Sequence, residues 1–165
     1  MNLTLLRHAH AEDRAPGGDR KRQLTEKGVA QAQRCGTFGK WQGWQPSIVL
    51  TSPYLRAWQT AKHCCDSAGW DPPVEEEAFA SGVSPEDAVT YLGEYQELGE
   101  VIVIGHEPDL SLLLGYLLGT PSGAISVSKA SFWGLRCSSV RQASAQLRFV
   151  VPEDLLCHMF VEGSQ

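Results

Sequence analysis

Nothing in this sequence asks for a membrane: no apolar run approaches the ~20 residues that a bilayer-spanning helix needs. The N-terminus also lacks a basic stretch followed by an apolar one and a small-residue cleavage site, so no signal peptide is expected. Cysteine is sparse and unpatterned. Cys35, Cys64, Cys65, Cys137 and Cys157 are an odd set without a Cys-x-x-Cys pair, which fits reduced thiols and leads us to expect a cytoplasmic location. An excess of basic charge is missing as well. Lys and Arg total 14 against 19 Asp and Glu, a formal net charge of −5 that argues against non-specific nucleic-acid binding. It leaves room for a local cationic pocket, which would suit an anionic substrate. Internal repeats, low-complexity tracts and composition breaks are absent from the 165 residues, so one domain over residues 1–165 is expected. At 42% hydrophobic residues, a chain of this length can bury a sizeable core.

What is present is an alternation of short apolar runs with helix signals. Residues 2–7, Ser47–Thr51 and Val101–Gly105 read as buried strands, with a shorter one near Val74–Glu76. Thr25 caps a helix to about Trp41, and Ser52-Pro53 reads as the start of a second helix that Gly69 ends. Ser84-Pro85 starts a third helix, to about Leu98, and Pro108 opens a strongly apolar fourth. Ala130–Arg136 and Gln146–Val151 read as a hairpin, and the last dozen residues are ambiguous. The pattern predicts an α/β fold with a mostly parallel central sheet, helices on both faces and an antiparallel edge.

Chemistry concentrates at the strand ends. Arg7-His8 terminates the first apolar run and His106 terminates Val101–Gly105. Arg22 closes the polar loop over residues 11–23, and Arg56 falls in the first turn of the helix after the second strand. In a parallel sheet these tips share one edge, where open α/β sheets place their ligands. An arginine at a helix N-terminus opposes the helix dipole, and is easier to understand if an anion sits between them. Guanidinium forks match the oxygens of a phosphoryl group. The same cations oppose protonation of His106 unless phosphate is present.

Four segments carry a resemblance. They are Leu6-Arg7-His8-Ala9, Arg22-Gln23-Leu24-Thr25, the stretch from Thr51-Ser52-Pro53 through Arg56-Ala57-Trp58-Gln59-Thr60, and Gly105-His106-Glu107-Pro108. Together they resemble the histidine phosphatase superfamily (phosphoglycerate mutase-like), and the small size resembles its SixA-like phosphohistidine phosphatase branch. The resemblance implies a three-layer α/β/α fold. It implies that His8 is the nucleophile, that Arg7, Arg22 and Arg56 bind phosphate oxygens, and that His106 stabilises the transferring group. It further implies a metal-independent phosphatase, without cofactor, acting through a phosphohistidine intermediate. The partner would be a phosphorylated protein, such as a histidine phosphotransfer domain, or a small phosphorylated substrate, with no nucleic acid and no membrane.

Two departures bear on the substrate. The superfamily commonly has Gly where this chain has Ala9, a strained substitution if that position needs a positive φ. No carboxylate falls within Ala78–Gly82, where a general acid would be expected, leaving Glu75, Glu76, Glu77, Glu107 and Glu12 as alternatives. An imidazole leaving group needs less acid help than an alkoxide, which favours a phosphoramidate over a phosphomonoester. Rival readings are a small-molecule phosphomonoesterase, a phospho-binding module without turnover, and a metal hydrolase using His8 and His10. The last would require a longer chain and further ligands. Simpler roles are expected for His10 in a loop, for His63 and His158 at the surface or in packing, for Cys64-Cys65 in helix packing, and for Trp41 and Trp44 at a helix end.

Overall fold

A computed structural model describes residues 1–160; the remainder of the expected 1–165 domain lies outside the described residues. Six strands form one mixed sheet: β1 (Asn2–Arg7), β2 (Ile48–Thr51), β3 (Val74–Glu75), β4 (Glu100–Gly105), β5 (Phe132–Cys137) and β6 (Ala145–Val151), in the order β3-β2-β4-β1-β5-β6. The contacts among β1 to β4 are parallel, whereas β5 runs antiparallel to both β1 and β6. Five helices pack on it: α1 (Glu26–Trp41), α2 (Leu55–Ala68), α3 (Pro85–Leu92), α4 (Asp109–Leu118) and α5 (Glu153–Met159). The α/β architecture with an antiparallel margin is therefore as expected.

The continuous apolar strands are explained by burial on both faces. On β4, Ile102 and Ile104 face α1 and α2 through Ala32, Cys35, Ala57 and Ala61, while Val101 and Val103 face α3 and α4 through Leu92, Leu110 and Leu114. Cys64 and Cys65 are buried in the first of these layers, as expected for packing residues. Trp44 packs edge-on against Phe38 and Phe132, but Trp41 at the end of α1 is 64% exposed.

Two helix boundaries differ from expectation. The second helix begins at Leu55 rather than Pro53, because the Ser52 hydroxyl accepts the Tyr54 amide and holds residues 52–54 as a turn. The third helix ends at Leu92 and tightens into a 3-10 turn over Gly93–Tyr95, short of the expected Leu98. The C-terminal region, ambiguous in sequence, forms α5 and seats Leu156 against the α1 face. No helix among the described residues is long and apolar enough to cross a membrane.

Candidate active site

The sheet assembles the site by placing β4 between β1 and β2. Beyond the regular ladders, the His8 amide donates to the Gly105 carbonyl at 3.0 Å and the Ser52 amide donates to the Ile104 carbonyl at 3.0 Å. The residues just past all three strand tips are thereby fixed along one carboxyl edge, with His106 next to Gly105.

His8 is 5% exposed. Its Nδ1 lies 2.8 Å from the Ala9 carbonyl oxygen. A carbonyl only accepts, so Nδ1 carries the hydrogen and Nε2 keeps its lone pair. Arg56 Nε donates to that lone pair at 3.2 Å. Burial pushes the imidazole down to about 3 and the charges of Arg56, Arg7 and Lys129 add to the effect, against the opposing bond to Ala9. His8 is thus a neutral imidazole at physiological pH. Ala9 is not strained: the positive-φ non-glycine residues are Ala130 and Ala143, and the Ala9 amide donates to Thr60 Oγ1 at 3.0 Å.

Arg56 is also 5% exposed, and its fork is engaged on two sides. Nη1 donates to the Asp19 carbonyl at 2.8 Å and Nη2 to Asp19 Oδ2 at 3.0 Å. The other carboxylate oxygen, Oδ1, accepts from Arg22 Nη1 at 2.8 Å, while Arg22 Nε donates to the Glu12 carbonyl. Asp19 therefore bridges the two arginines, and the Arg22 hydrogen bond is foremost in holding its carboxyl below the usual range. The helix-end argument for an anion beside Arg56 is met, in this molecule, by the protein's own carboxylate. The Tyr54 ring packs on this pair of elements, with its centroid 5.0 Å from the Arg56 guanidinium carbon and 4.9 Å from that of Arg20. Arg7 donates from Nη1 to the Val127 carbonyl at 2.8 Å, and its buried Nε has no partner among the described residues.

His106 is 2% exposed and its ring centroid lies 5.2 Å from that of His8. Its Nε2 lies 2.7 Å from Ser52 Oγ, and its buried Nδ1 has no partner among the described residues. Burial lowers it to about 3, with smaller contributions from His8 and Arg56. In this arrangement it too is neutral, with one ring hydrogen to offer as a hydrogen-bond donor.

Of the five residues singled out in sequence, His8, Arg56 and His106 are in mutual contact or ring proximity. Arg22 joins them through Asp19, and the charge of Arg7 is felt by both histidines. The neighbours of Arg22 behave differently: Arg20 pairs with Glu77 at 2.7 Å and Lys21 is exposed. His10 turns away from the site, its Nδ1 2.9 Å from Thr25 Oγ1 at the start of α1.

Three of the five alternative acids are engaged. Glu77 holds Arg20, Glu12 accepts the Gln23 amide at 3.1 Å, and Glu107 accepts from Ser111 and from the Val127 amide at 3.2 Å. Sequence reasoning missed Asp19, Ser52 as a side-chain partner, Tyr54 and the Val127 carbonyl. Ser52 and Tyr54 carried a signal, their place in the long motif, and reading Ser52-Pro53 as a helix start absorbed it. No group of three or more His, Cys, Asp or Glu side chains suited to a metal occurs among the described residues.

Comparison with known proteins agrees with this geometry. Residues 3–80 match the histidine phosphatase superfamily (branch 1), so the resemblance carried by the motifs is borne out. A 2,3-bisphosphoglycerate-dependent phosphoglycerate mutase of Leifsonia xyli is 40% identical over 77 residues; the match takes in 44% of this chain and 31% of the mutase, so the chain spans about a third of that relative's length. The fold matches that of the protein histidine phosphatase SixA in complex with tungstate, with a TM-score of 0.85 and 21% identity, over 97% of this chain and 100% of that one. It also matches the alpha-ribazole phosphatase of Shigella flexneri, with a TM-score of 0.70 and 20% identity, over 93% of this chain and 97% of that one. At these identities the structural likenesses establish the fold.

Proposed function

We propose that the chain is a metal-independent phosphatase that works through phospho-His8, with phosphohistidine on a phosphotransfer protein as its substrate. The observation that carries this reading is the state of His8: neutral, tied by Nδ1 to Ala9, with the Nε2 lone pair held against Arg56. A neutral imidazole is a competent nucleophile without a separate base. Nε2 would give up the hydrogen bond from Arg56 Nε and attack phosphorus as the bond to the leaving group breaks. Water would then attack phospho-His8, releasing inorganic phosphate and restoring the imidazole. Arg7, Arg22 and Arg56 would balance charge on the transferring oxygens, the task that metal ions perform in other phosphoryl-transfer sites.

The leaving group supports a P–N bond. A phosphohistidine protonated on its second ring nitrogen departs as neutral imidazole and requires no acid from the protein. Glu12, Glu77 and Glu107 are engaged elsewhere. The likeness to SixA, a protein histidine phosphatase, points the same way, and the five unpaired cysteines suit a reducing cytoplasm.

A small-molecule phosphomonoesterase is the second reading, and Asp109 is the observation that favours it. It lines the same cleft as His106, and burial raises its carboxyl above the ordinary range, the direction a general acid for an alkoxide needs. A substrate panel separates the two. Turnover of a phosphohistidine peptide well above p-nitrophenyl phosphate and sugar phosphates, unchanged in Asp109→Asn, supports the first reading. Preference for monoesters, lost in Asp109→Asn, supports the second. Turnover of none, with retained oxyanion binding, would identify a phospho-binding module.

A further inference from the structure

The two histidines solve the same problem by different means. His8 has its ring hydrogen fixed by a backbone carbonyl, whereas among the described residues the one hydrogen-bond partner of the His106 ring is a hydroxyl, which can donate or accept. We infer that Ser52 fixes the tautomer of His106, donating its hydroxyl proton to Nε2 so that Nδ1 carries the ring hydrogen and offers it to a phosphoryl oxygen. The inference rests on the phosphotransfer reading of the site.

The assignment follows from counting protons and lone pairs at a place water does not reach. Ser52 is fully buried, and its Oγ has two side-chain or backbone partners: the Tyr54 amide at 3.2 Å and His106 Nε2 at 2.7 Å. The amide can only donate, so it consumes a lone pair of Oγ and cannot receive the hydroxyl proton. His106 Nε2 is then the one acceptor for that proton. Were Nε2 protonated instead, both the hydroxyl proton and the Nδ1 lone pair would be buried without partners. With Ser52 as donor, a single group is left over, the Nδ1–H of His106.

That leftover group is a desolvated donor in the cationic cluster that also holds the unpartnered Arg7 Nε. Buried donors without partners are rare in native proteins and concentrate where function supplies the partner. A phosphoryl oxygen is an acceptor that both could share. With Nε2 turned to Ser52 and Nδ1 the free ring nitrogen, the placement of the hydrogen is decisive, since an Nε2–H tautomer would present only a lone pair to an anion. Ser52 is therefore a positioning residue. In the turn over residues 52–54 the Tyr54 amide occupies the acceptor side of its hydroxyl and leaves the proton for His106.

The test reads the tautomer directly. Long-range ¹H–¹⁵N correlation spectra of the full chain with ¹⁵N-labelled histidine, at neutral pH, distinguish a protonated from an unprotonated ring nitrogen; a His106→Asn variant identifies the His106 signals. The expected result is protonated Nδ1 in the wild type, both free and with added orthovanadate. In Ser52→Ala that preference is lost and kcat falls at least tenfold with little change in KM, while Ser52→Thr, which keeps the hydroxyl, restores the signature. The tenfold loss would remain below the roughly 10²–10³-fold cost of deleting an oxyanion donor outright. Protonated Nε2 in the wild type, or an unaltered tautomer in Ser52→Ala, would overturn the inference. Neither spectrum depends on turnover, so failure of the phosphatase reading would show separately, as missing activity beside an intact tautomer signature.

Discussion

Arg56 Nε and His8 Nε2 are joined by a 3.2 Å hydrogen bond. The guanidinium that would receive the phosphoryl oxygens thus rests on the lone pair that would attack phosphorus, and attack would exchange this hydrogen bond for the bond to phosphorus. Arg56→Ala is expected to lower kcat/KM by roughly 10²–10³-fold, the scale of a lost oxyanion donor. Arg56→Lys should recover little of it, because an ammonium cannot bond His8 and Asp19 in one plane. Steady-state kinetics on a phosphohistidine peptide check both.

Asp19 places a carboxylate on the two guanidinium groups that an oxyanion would use. Removing that charge relieves repulsion worth about 1 kcal/mol or more at contact distance, even at the dielectric of water. Asp19→Asn is expected to bind orthovanadate or inorganic phosphate several-fold more tightly, measured by competitive inhibition or calorimetry. Weaker binding would show that the carboxylate serves to align the arginines.

Burial of two neutral histidines sets the response to acid. Both His8 and His106 are lowered from 6.5 to about 3, so between those values the unfolded chain binds more protons than the folded one. Stability is then full above about pH 6.5 and is lost as pH falls toward 3, by up to about 1.4 kcal/mol per pH unit for each ring. Thermal melts across this window should show a steep decline, and His106→Asn should flatten it. In catalysis, the acid limb attributable to His8 protonation should lie well below pH 6.5.

The loop carrying Asp19 and Arg22 is clamped at its start by α1. A Cβ on Gly28 would stand 1.9 Å from the His10 carbonyl oxygen, which accepts the Thr25 amide at 3.1 Å. Because the obstacle is backbone, Gly28→Ala is expected to cost about 2–4 kcal/mol, in the range of severe overpacking. Denaturant unfolding measures it; a loss under about 0.5 kcal/mol would mean the loop yields freely.

How much of this could be read from residues alone follows physical lines. β1 and β4 announce themselves because apolar runs buried on two faces end abruptly in Arg7-His8 and His106, and parallel pairing brings such ends together without further information. Arg56 was visible through its conflict with a helix N-terminus. Asp19 was not, since it lies in a polar loop 37 residues from Arg56, and its spacing from Arg22 marks at most a local pair, not a bridge between two arginines. Ser52-Pro53 was misread for the opposite reason. The local signature was real, but the hydroxyl accepts the Tyr54 amide in a turn and faces His106 beyond the tip of β4, which local sequence does not show. Backbone acceptors such as the Val127 carbonyl carry no side-chain signal at all.

The most direct test of phosphoryl transfer to His8 is acid-quench and base-quench trapping during turnover of a ³²P-labelled phosphohistidine peptide. The expected result is a label on the protein that survives alkali, is lost in acid, maps to His8 and is absent from His8→Ala. A label stable to acid, or one that persists in His8→Ala, would contradict it.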